Sequence, residues 1–294
     1  MMSIDNYRHK LTPYLFLAPA AVLLILFFFY PFFQTLLLSF QSFDTNLYSP
    51  VFCGVENYSK IFHSQSFFKV LINTFLYMLI AVPILVIFPI IIAIAINQKI
   101  RGISIYRVIL YIPAVVSIVV AAIAFKWLYA NDGLLNYFFG ILGIDKIGWL
   151  TDPNVALFSV IALTIWKGLG YYAIIYLATL LTIPDSLYEA ADIDGANTFQ
   201  KHIKITIPYL WPAITLVATM SSISALKVFT EVYVMTKGGP MDSTSTIVYY
   251  VYKEAFENLN LGLASAGGVI LLIIAMIISV LNIKCFEKGG PDVQ

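Results

Sequence analysis

The sequence predicts an all-α polytopic membrane protein, and three observations carry that prediction. Of 294 residues, 60% are hydrophobic and only 11% are charged, against roughly 45–50% and about 25% in a soluble globular domain. The apolar residues fall into six separate runs, each of about 20 residues or more, the length a helix needs to cross the hydrocarbon of a bilayer. Between the fourth and fifth runs lies a polar, charged segment, PDSLYEAADIDGANTFQKHIKITIP (184–208), which reads as two short helices broken at Gly195. With a mean hydropathy of +0.87 the chain has lipid as its main solvent. A net charge of +1 gives no basic field for nucleic acid.

In order, residues 1–13 precede the first span, about 14–40, which is uncharged and bent at Pro19 and Pro31. That run is too long for the core of a signal peptide and reads as a retained span. The second span, about 70–96, is uncharged and carries Pro83 and Pro89. The third, about 105–129, bears Arg107 and Lys126 near its ends. The fourth, about 155–183, is interrupted by Lys167, and the fifth, about 209–235, holds Lys227 and Glu231 in its second half. The sixth, about 261–283, opens on the small-residue run GLASAGG, and a tail follows at 285–294. One membrane domain, 14–284, accounts for the chain.

Basic residues set the orientation. Arg8, Lys10, Lys99, Arg101, Arg107, Lys201, Lys204, Lys284 and Lys288 fall on one side. Lys60, Lys69, Lys126, Lys146, Lys237 and Lys253 fall on the other. The excess places both termini and the 184–208 segment in the cytoplasm. The loops at 41–69, 130–154 and 236–260 then face outward. They contain amphipathic pieces (NYSKIF, GLLNYFFGIL, KEAFENL) expected as short helices on the membrane surface. Cys53 and Cys285 fall on opposite sides, so no disulfide joins them.

Within 184–208, Pro184 ends the fourth span, and Ser186 and Glu189 have the spacing of a capping box. Leu187, Ala190, Ala191 and Asp194 share a face, where two alanines let another surface approach closely. Gly195 suits the left-handed residue that ends a helix. Asn197 is placed to cap a second short helix running toward Pro208, and Pro208 and Pro212 sit where a further helix would begin. Physics alone leaves open an ordinary structured loop.

The string EAADIDGAN followed by ITIP resembles the EAA loop of ABC importer permeases, through Glu189, Ala190, Ala191, Gly195, Ile205, Ile207 and Pro208. LTPYLFLAPA, WLTDPNVAL and VYVMTKGGPMDSTSTIVYYVYKEAF look like the carbohydrate-type members of that family, in the same order along the chain. The resemblance implies an EAA helix docked in a cleft of a separate ATPase. Glu189 would pair with a basic residue there, Ala190 and Ala191 would permit close packing, and Asp194 and Gly195 would form the turn. It implies a second permease subunit, two ATPase copies or a pair of them, and an extracytoplasmic solute-binding protein met by the outward loops, including Gly238, Gly239 and Pro240. The bare reading of those three residues is a tight turn. The chain has no phosphate-binding G-x-x-x-x-G-K-[ST] loop, so ATP and Mg belong to the partner ATPase and this chain binds no cofactor.

For the solute path, Lys167 lies about 12 residues, or ~18 Å, into the fourth span. Trp166, Gly168, Gly170, Tyr171 and Tyr172 around it offer aromatic faces and open backbone for a sugar. The other reading packs the aromatics in the bundle and pairs Lys167 with the second permease. Lys227 can snorkel or pair with Glu231 one turn on. Ser221, Ser222 and Ser224 can line a polar path or bond helices together, and Gln34 and Asn73 carry the same ambiguity. Two intramembrane lysines point weakly to an anionic solute such as a sugar phosphate. A secondary transporter or channel working without an ATPase is the alternative function. A membrane-embedded enzyme would need paired carboxylates or a metal cluster at bilayer depth, and the chain's three histidines all lie outside the spans. No metal site is expected.

Overall fold

Each predicted span is helical, as the absence of water from the bilayer core requires of backbone that must satisfy its own hydrogen bonds. The computed structural model describes residues 2–43, 50–98 and 100–287, with side chains from 13 to 285 within those ranges. Lys99, Lys288 and residues 44–49 of the first outward loop lie outside the described residues, as do the side chains of Arg8 and Lys10. So does the tail beyond residue 287.

Two compact units are present, one of residues up to His63 with Val251–Ile270, the other of Ser64–Tyr250 with residues from Leu271 onward. The first unit begins with α1 (Met2–Leu24) and α2 (Tyr30–Leu38), joined by a π-turn at Ile25–Phe29. Pro31 has no N–H to give the carbonyl four residues back. The wider turn just before it carries the helix past that gap, with Tyr30 N–H donating to Ile25 O. β1 (Gln41–Phe43) and β2 (Pro50–Phe52) pair antiparallel. α3 (Glu56–His63) is tied to β1 by Asn57, whose amide donates to Ser39 O at 3.0 Å and Gln41 O at 2.9 Å. A Cβ at Gly262 would stand 2.1 Å from Gln41 O, so the small-residue run that opens the sixth span permits a close backbone approach.

In the second unit α4 (Gln65–Ile96) keeps Pro83 and Pro89 within one continuous helix. The third predicted span is not one helix: α5 (Ile103–Val115) and α6 (Ile118–Leu128) meet at 93°. Pro113 removes a helical donor, and Val116 and Ser117 adopt extended conformations. α7 (Leu134–Ile141) follows on the far side of the membrane from 184–208, since the single crossing of α8 (Ala156–Leu180) separates the two. α8 is the centre of this unit, packed on α4, α5 and α11 (Ile207–Leu226). Its Gly170 makes one of these contacts possible: a Cβ there would fall 1.7 Å from Leu110 O of α5. Small residues allow such backbone contact between helices in lipid.

The fifth span also departs from a single rod, since α11 ends at Leu226 and α12 (Thr230–Met235) begins after a three-residue break. Next comes the 237–246 loop, held down by α4: Lys69 Nζ donates to Met241 O at 2.6 Å, and Asn73 Nδ2 donates to Asp242 O at 2.8 Å and Ser245 O at 3.0 Å. Asn73 therefore anchors a loop. α13 (Ile247–Tyr252), a π-turn at Lys253–Glu257 and α14 (Leu261–Glu287) complete the chain.

Candidate functional site

The polar segment forms α9 (Asp185–Ile193) and α10 (Thr198–Lys201). The capping box expected of Ser186 and Glu189 does not form. Pro184, extended at φ −62° and ψ 130°, takes the N-cap position itself, so Ser186 already lies inside the helix. Asp185 in the first turn complements the helix dipole instead. Asn197 does cap α10, in a reciprocal box with Gln200: Gln200 N donates to Asn197 Oδ1 and Asn197 N to Gln200 Oε1, each at 2.9 Å.

Between them Gly195 is left-handed, at φ +74°. Ala196 N donates to Ala191 O at 2.9 Å and Gly195 N to Asp192 O at 3.1 Å, the paired bonds of a Schellman motif. A Cβ at Gly195 would meet nothing within 4 Å, so the surface beside it is open in this chain. Lys201 bridges back to Asp192 across the turn. Thr206, fully buried, joins both arms, hydrogen-bonded to Tyr188 Oη at 2.9 Å and His202 Nδ1 at 3.1 Å.

The second arm does not stop at Pro208. α10 runs through a π-turn (His202–Thr206) directly into α11, so the continuous helix begins at Thr198. The wider turn again precedes a proline, for the reason given at Pro31. Glu189, Ala190, Asp194 and Gly195 all face outward, Ala191 is half-buried, and Ile205 and Pro208 are half-buried along the second arm. Sequence reasoning missed two exposed apolar side chains that flank the turn, Ile193 at 88% and Phe199 at 71% exposure. Beside the segment is a cavity of about 720 Å³ with Arg107, Asp185, Tyr188, His202 and Thr206 in its wall.

A second cavity, about 370 Å³, opens within the bundle. Lys167, Tyr171, Tyr172, Ser221 and Ser224, all singled out from sequence, line it together with Thr164, Gly168, Met220 and Glu231. Three other candidates lie elsewhere. Trp166 packs against the Phe125 ring, with centroids 5.2 Å apart. Gly170 is closed off by α5, and Lys227 is exposed at the end of α11. The pairing of Lys227 with Glu231 is not formed, because the break after Leu226 removes the helical spacing on which it relies.

Lys167 is fully occupied by the protein. Its Nζ donates to Pro113 O at 3.2 Å, Ala114 O at 3.0 Å and Val116 O at 2.5 Å. Those carbonyls are left without helical partners by the break between α5 and α6, and an ammonium has three donors to give them. All three N–H donors are thus taken, while the charge stays in the cavity wall. The acidic group in the wall is Glu231, which receives Thr164 Oγ1 at 3.3 Å. Thr164 in turn is hydrogen-bonded to Tyr77 Oη. A hydroxyl that gives its one proton to Glu231 must accept from Tyr77, which orients the chain Tyr77 to Thr164 to Glu231.

Of the loop candidates, Gly238 is buried against Tyr249, where a Cβ would stand 2.6 Å from the ring, while Gly239 and Pro240 are half-buried. The exposed members of that loop are Lys237 and Met241.

A family model described as a binding-protein-dependent transport system inner membrane component matches residues 50–286. A probable ABC transporter permease protein of Bacillus subtilis, YurN, is 35% identical over 292 residues, covering 97% of this chain and 99% of that one. The arabinooligosaccharides transport system permease protein AraP of Halalkalibacterium halodurans is 34% identical, over 95% of this chain and 90% of its own. The lactose transport system permease protein LacF of Rhizobium radiobacter is also 34% identical, over 95% of both chains. A solved bacterial alginate ABC transporter, in complex with an alginate pentasaccharide-bound periplasmic protein, shares the fold with a TM-score of 0.85 at 23% identity. That match covers 99% of this chain and all of the other.

Proposed function

The chain belongs to the family of binding-protein-dependent transport system inner membrane components, and on that premise we propose that it is one of two permease subunits of an ABC importer for a carbohydrate. A solute-binding protein delivers the solute on the outer side, and a separate ATPase drives alternating access from the cytoplasm. Relatives named for arabinooligosaccharides and lactose favour the substrate class. The observation that carries the mechanism is the turn at Gly195. It presents Glu189, Ala190, Ile193 and Phe199 exposed, and its second arm is one helix with the fifth span. An ATPase cleft closing on that turn moves α11 as a lever, a rigid-body transition between inward- and outward-open states. The excess of basic residues on that side supports a cytoplasmic position for this face and for both termini.

Within the bundle, the solute passes the cavity around Tyr171, Tyr172, Ser221, Ser224 and Glu231. At about 370 Å³ it falls within the ~300–1,000 Å³ of small-molecule sites. With one lysine and one glutamate in the wall and the lysine's donors given to backbone, the wall suits a neutral polyhydroxylated solute better than an anionic one. No observation here favours a channel or secondary transporter.

The test is purification and reconstitution. An ATPase and a second permease should co-purify with this chain, and ATP hydrolysis by the reconstituted complex should rise with a binding protein loaded from a panel of neutral sugars. Transport by this chain alone without nucleotide would overturn the proposal. Stimulation by sugar phosphates but not by neutral sugars would overturn the substrate class alone.

A further inference from the structure

The polar cavity beside the Gly195 turn carries more hydrogen-bond donors than the chain itself uses. It lies where three parts of one unit meet: the end of α4, the first turns of α5, and the 184–208 segment. Arg107, half-buried one turn into α5, reaches back to α4, where its Nε and Nη2 donate to Ile96 O at 3.2 and 2.9 Å. A guanidinium has five N–H donors, so three remain. No carboxylate among the described residues forms an ion pair with it. In the wall given by the 184–208 segment, Thr206 is bonded to Tyr188 Oη and to His202 Nδ1. Two hydroxyls and a neutral imidazole hold three protons and here make two hydrogen bonds, so one proton is left over whichever way they turn. Asn97, the C-cap of α4, adds a side-chain amide. Asp185, the one acid among the described residues of the wall, is exposed at the start of α9 and already engaged within the chain.

We propose that this cavity is a binding site for a phosphate group, held by Arg107 from α5 and by the leftover donor of the Tyr188–Thr206–His202 cluster. A half-buried cation without a counter-charge calls for an anion, and a surplus of donors calls for a ligand that only accepts. Donors arriving from three elements suit the tetrahedral oxygens of phosphate better than the flat pair of a carboxylate. At about 720 Å³ the cavity also has room for the group that the phosphate esterifies. Two sources share this chemistry. A soluble phosphate ester reaches the cavity from the water on the side of the Gly195 turn. A phospholipid head group reaches it from the leaflet on that side, where basic pockets between spans hold such groups. For that second source, Arg107 also borders an apolar groove along α5, lined by Val108, Tyr111 and Val115. In either form the phosphate ties α5 to the segment that carries Gly195, so its presence stiffens the base of the lever. That consequence rests on the coupling role proposed for the turn; the site itself does not.

The test measures binding to the full chain in the complex with which it purifies, in a non-ionic detergent without phosphate. In one arm, native mass spectrometry counts the phosphatidylglycerol retained per complex. In the other, equilibrium dialysis follows radiolabelled glycerol 3-phosphate. At least one probe should bind, and Arg107→Gln should weaken that binding roughly tenfold, the scale of a hydrogen bond to a charged group. Leu181→Trp alters an exposed residue of the wall, crowds the cavity without touching Arg107, and should abolish the same binding. It keeps the test decisive where Arg107→Gln loosens the bond to Ile96. Lys204→Gln, an exposed cation outside the wall, controls for general surface charge and should change nothing. Binding of neither probe overturns the proposal, as does undiminished binding by the Leu181→Trp variant. A loss with Lys204→Gln as large as that with Arg107→Gln also overturns it. Arg107-dependent retention of phosphatidylglycerol alone identifies the membrane as the source, and binding of glycerol 3-phosphate alone identifies the aqueous phase. Neither sugar nor ATP hydrolysis enters the measurement, so its failure leaves the proposed function untouched.

Discussion

The turn at Gly195 and the cavity around Lys167 use polar groups in opposite ways. At the turn, short-range bonds close both helix ends that meet there, through the Schellman pair at Ala191–Ala196 and the reciprocal box of Asn197 and Gln200. The side chains of Glu189, Ile193 and Phe199 are left exposed. In the cavity a charged side chain serves the chain's own backbone, and only Glu231 and a few hydroxyls remain for a visitor. The turn thus keeps its exposed groups outward on a locally closed frame, whereas a bend within the bundle must first satisfy the carbonyls that it leaves unpaired.

The sharpest way to break this contrast is at Gly195. Proline fixes φ near −65° and has no N–H, so Gly195→Pro removes both the left-handed conformation and the bond to Asp192 O. Membrane insertion should persist while transport falls to background. Normal uptake by a stably assembled variant would remove the coupling role of the turn. Gly195→Ala should cost only about 1–2 kcal/mol, because its Cβ meets open space in this chain.

Next in size is Lys167→Met, which strands up to three carbonyls at roughly 1–3 kcal/mol for each group left unpaired. The purified complex should lose its assembled peak on size exclusion at a clearly lower temperature. If Lys167 served solute binding alone, heat stability would be unchanged and only solute-stimulated ATP hydrolysis would fall. Gly170→Ala should destabilise similarly, by forcing α5 off α8. Asn197→Ala removes one cap and should lower stability by about 1 kcal/mol, read as a modest loss of coupling efficiency, the ratio of solute moved to ATP hydrolysed. Smallest is Lys201→Gln. Its ion pair with the exposed Asp192 is worth about 0.2–1 kcal/mol, and transport should stay close to that of the unaltered protein.

Legibility from sequence follows the same divide. Gly195 and Asn197 could be read because their partners lie three to five residues away and the capping chemistry is local. The one local failure, Ser186, lost to Pro184 two positions earlier, whose extended conformation starts the helix sooner. Six apolar runs gave the helices, since in lipid the backbone has no alternative, but not the breaks at 116–117 and 227–229, where the hydropathy stays high. Lys167 could not be assigned because its acceptors lie 51 to 54 residues back. Glu231 escaped notice as a cavity group because Thr164, its donor, is 67 residues away. Ile193 and Phe199 carried a signal that was available: large apolar residues on either side of a turn in an otherwise polar stretch.

The tripod at Lys167 has a mechanical meaning. An ammonium on a four-carbon stem spins about its last bond, and its three donors are equivalent. All three carbonyls sit at the end of α5, two inside it and one at its cap, so a single nitrogen of α8 closes that open end while leaving each carbonyl a proton. A flat guanidinium would fix the angle, and an apolar side chain would let the joint gape. The frayed end of α5 is thereby pinned to α8 by a group that imposes no plane of its own.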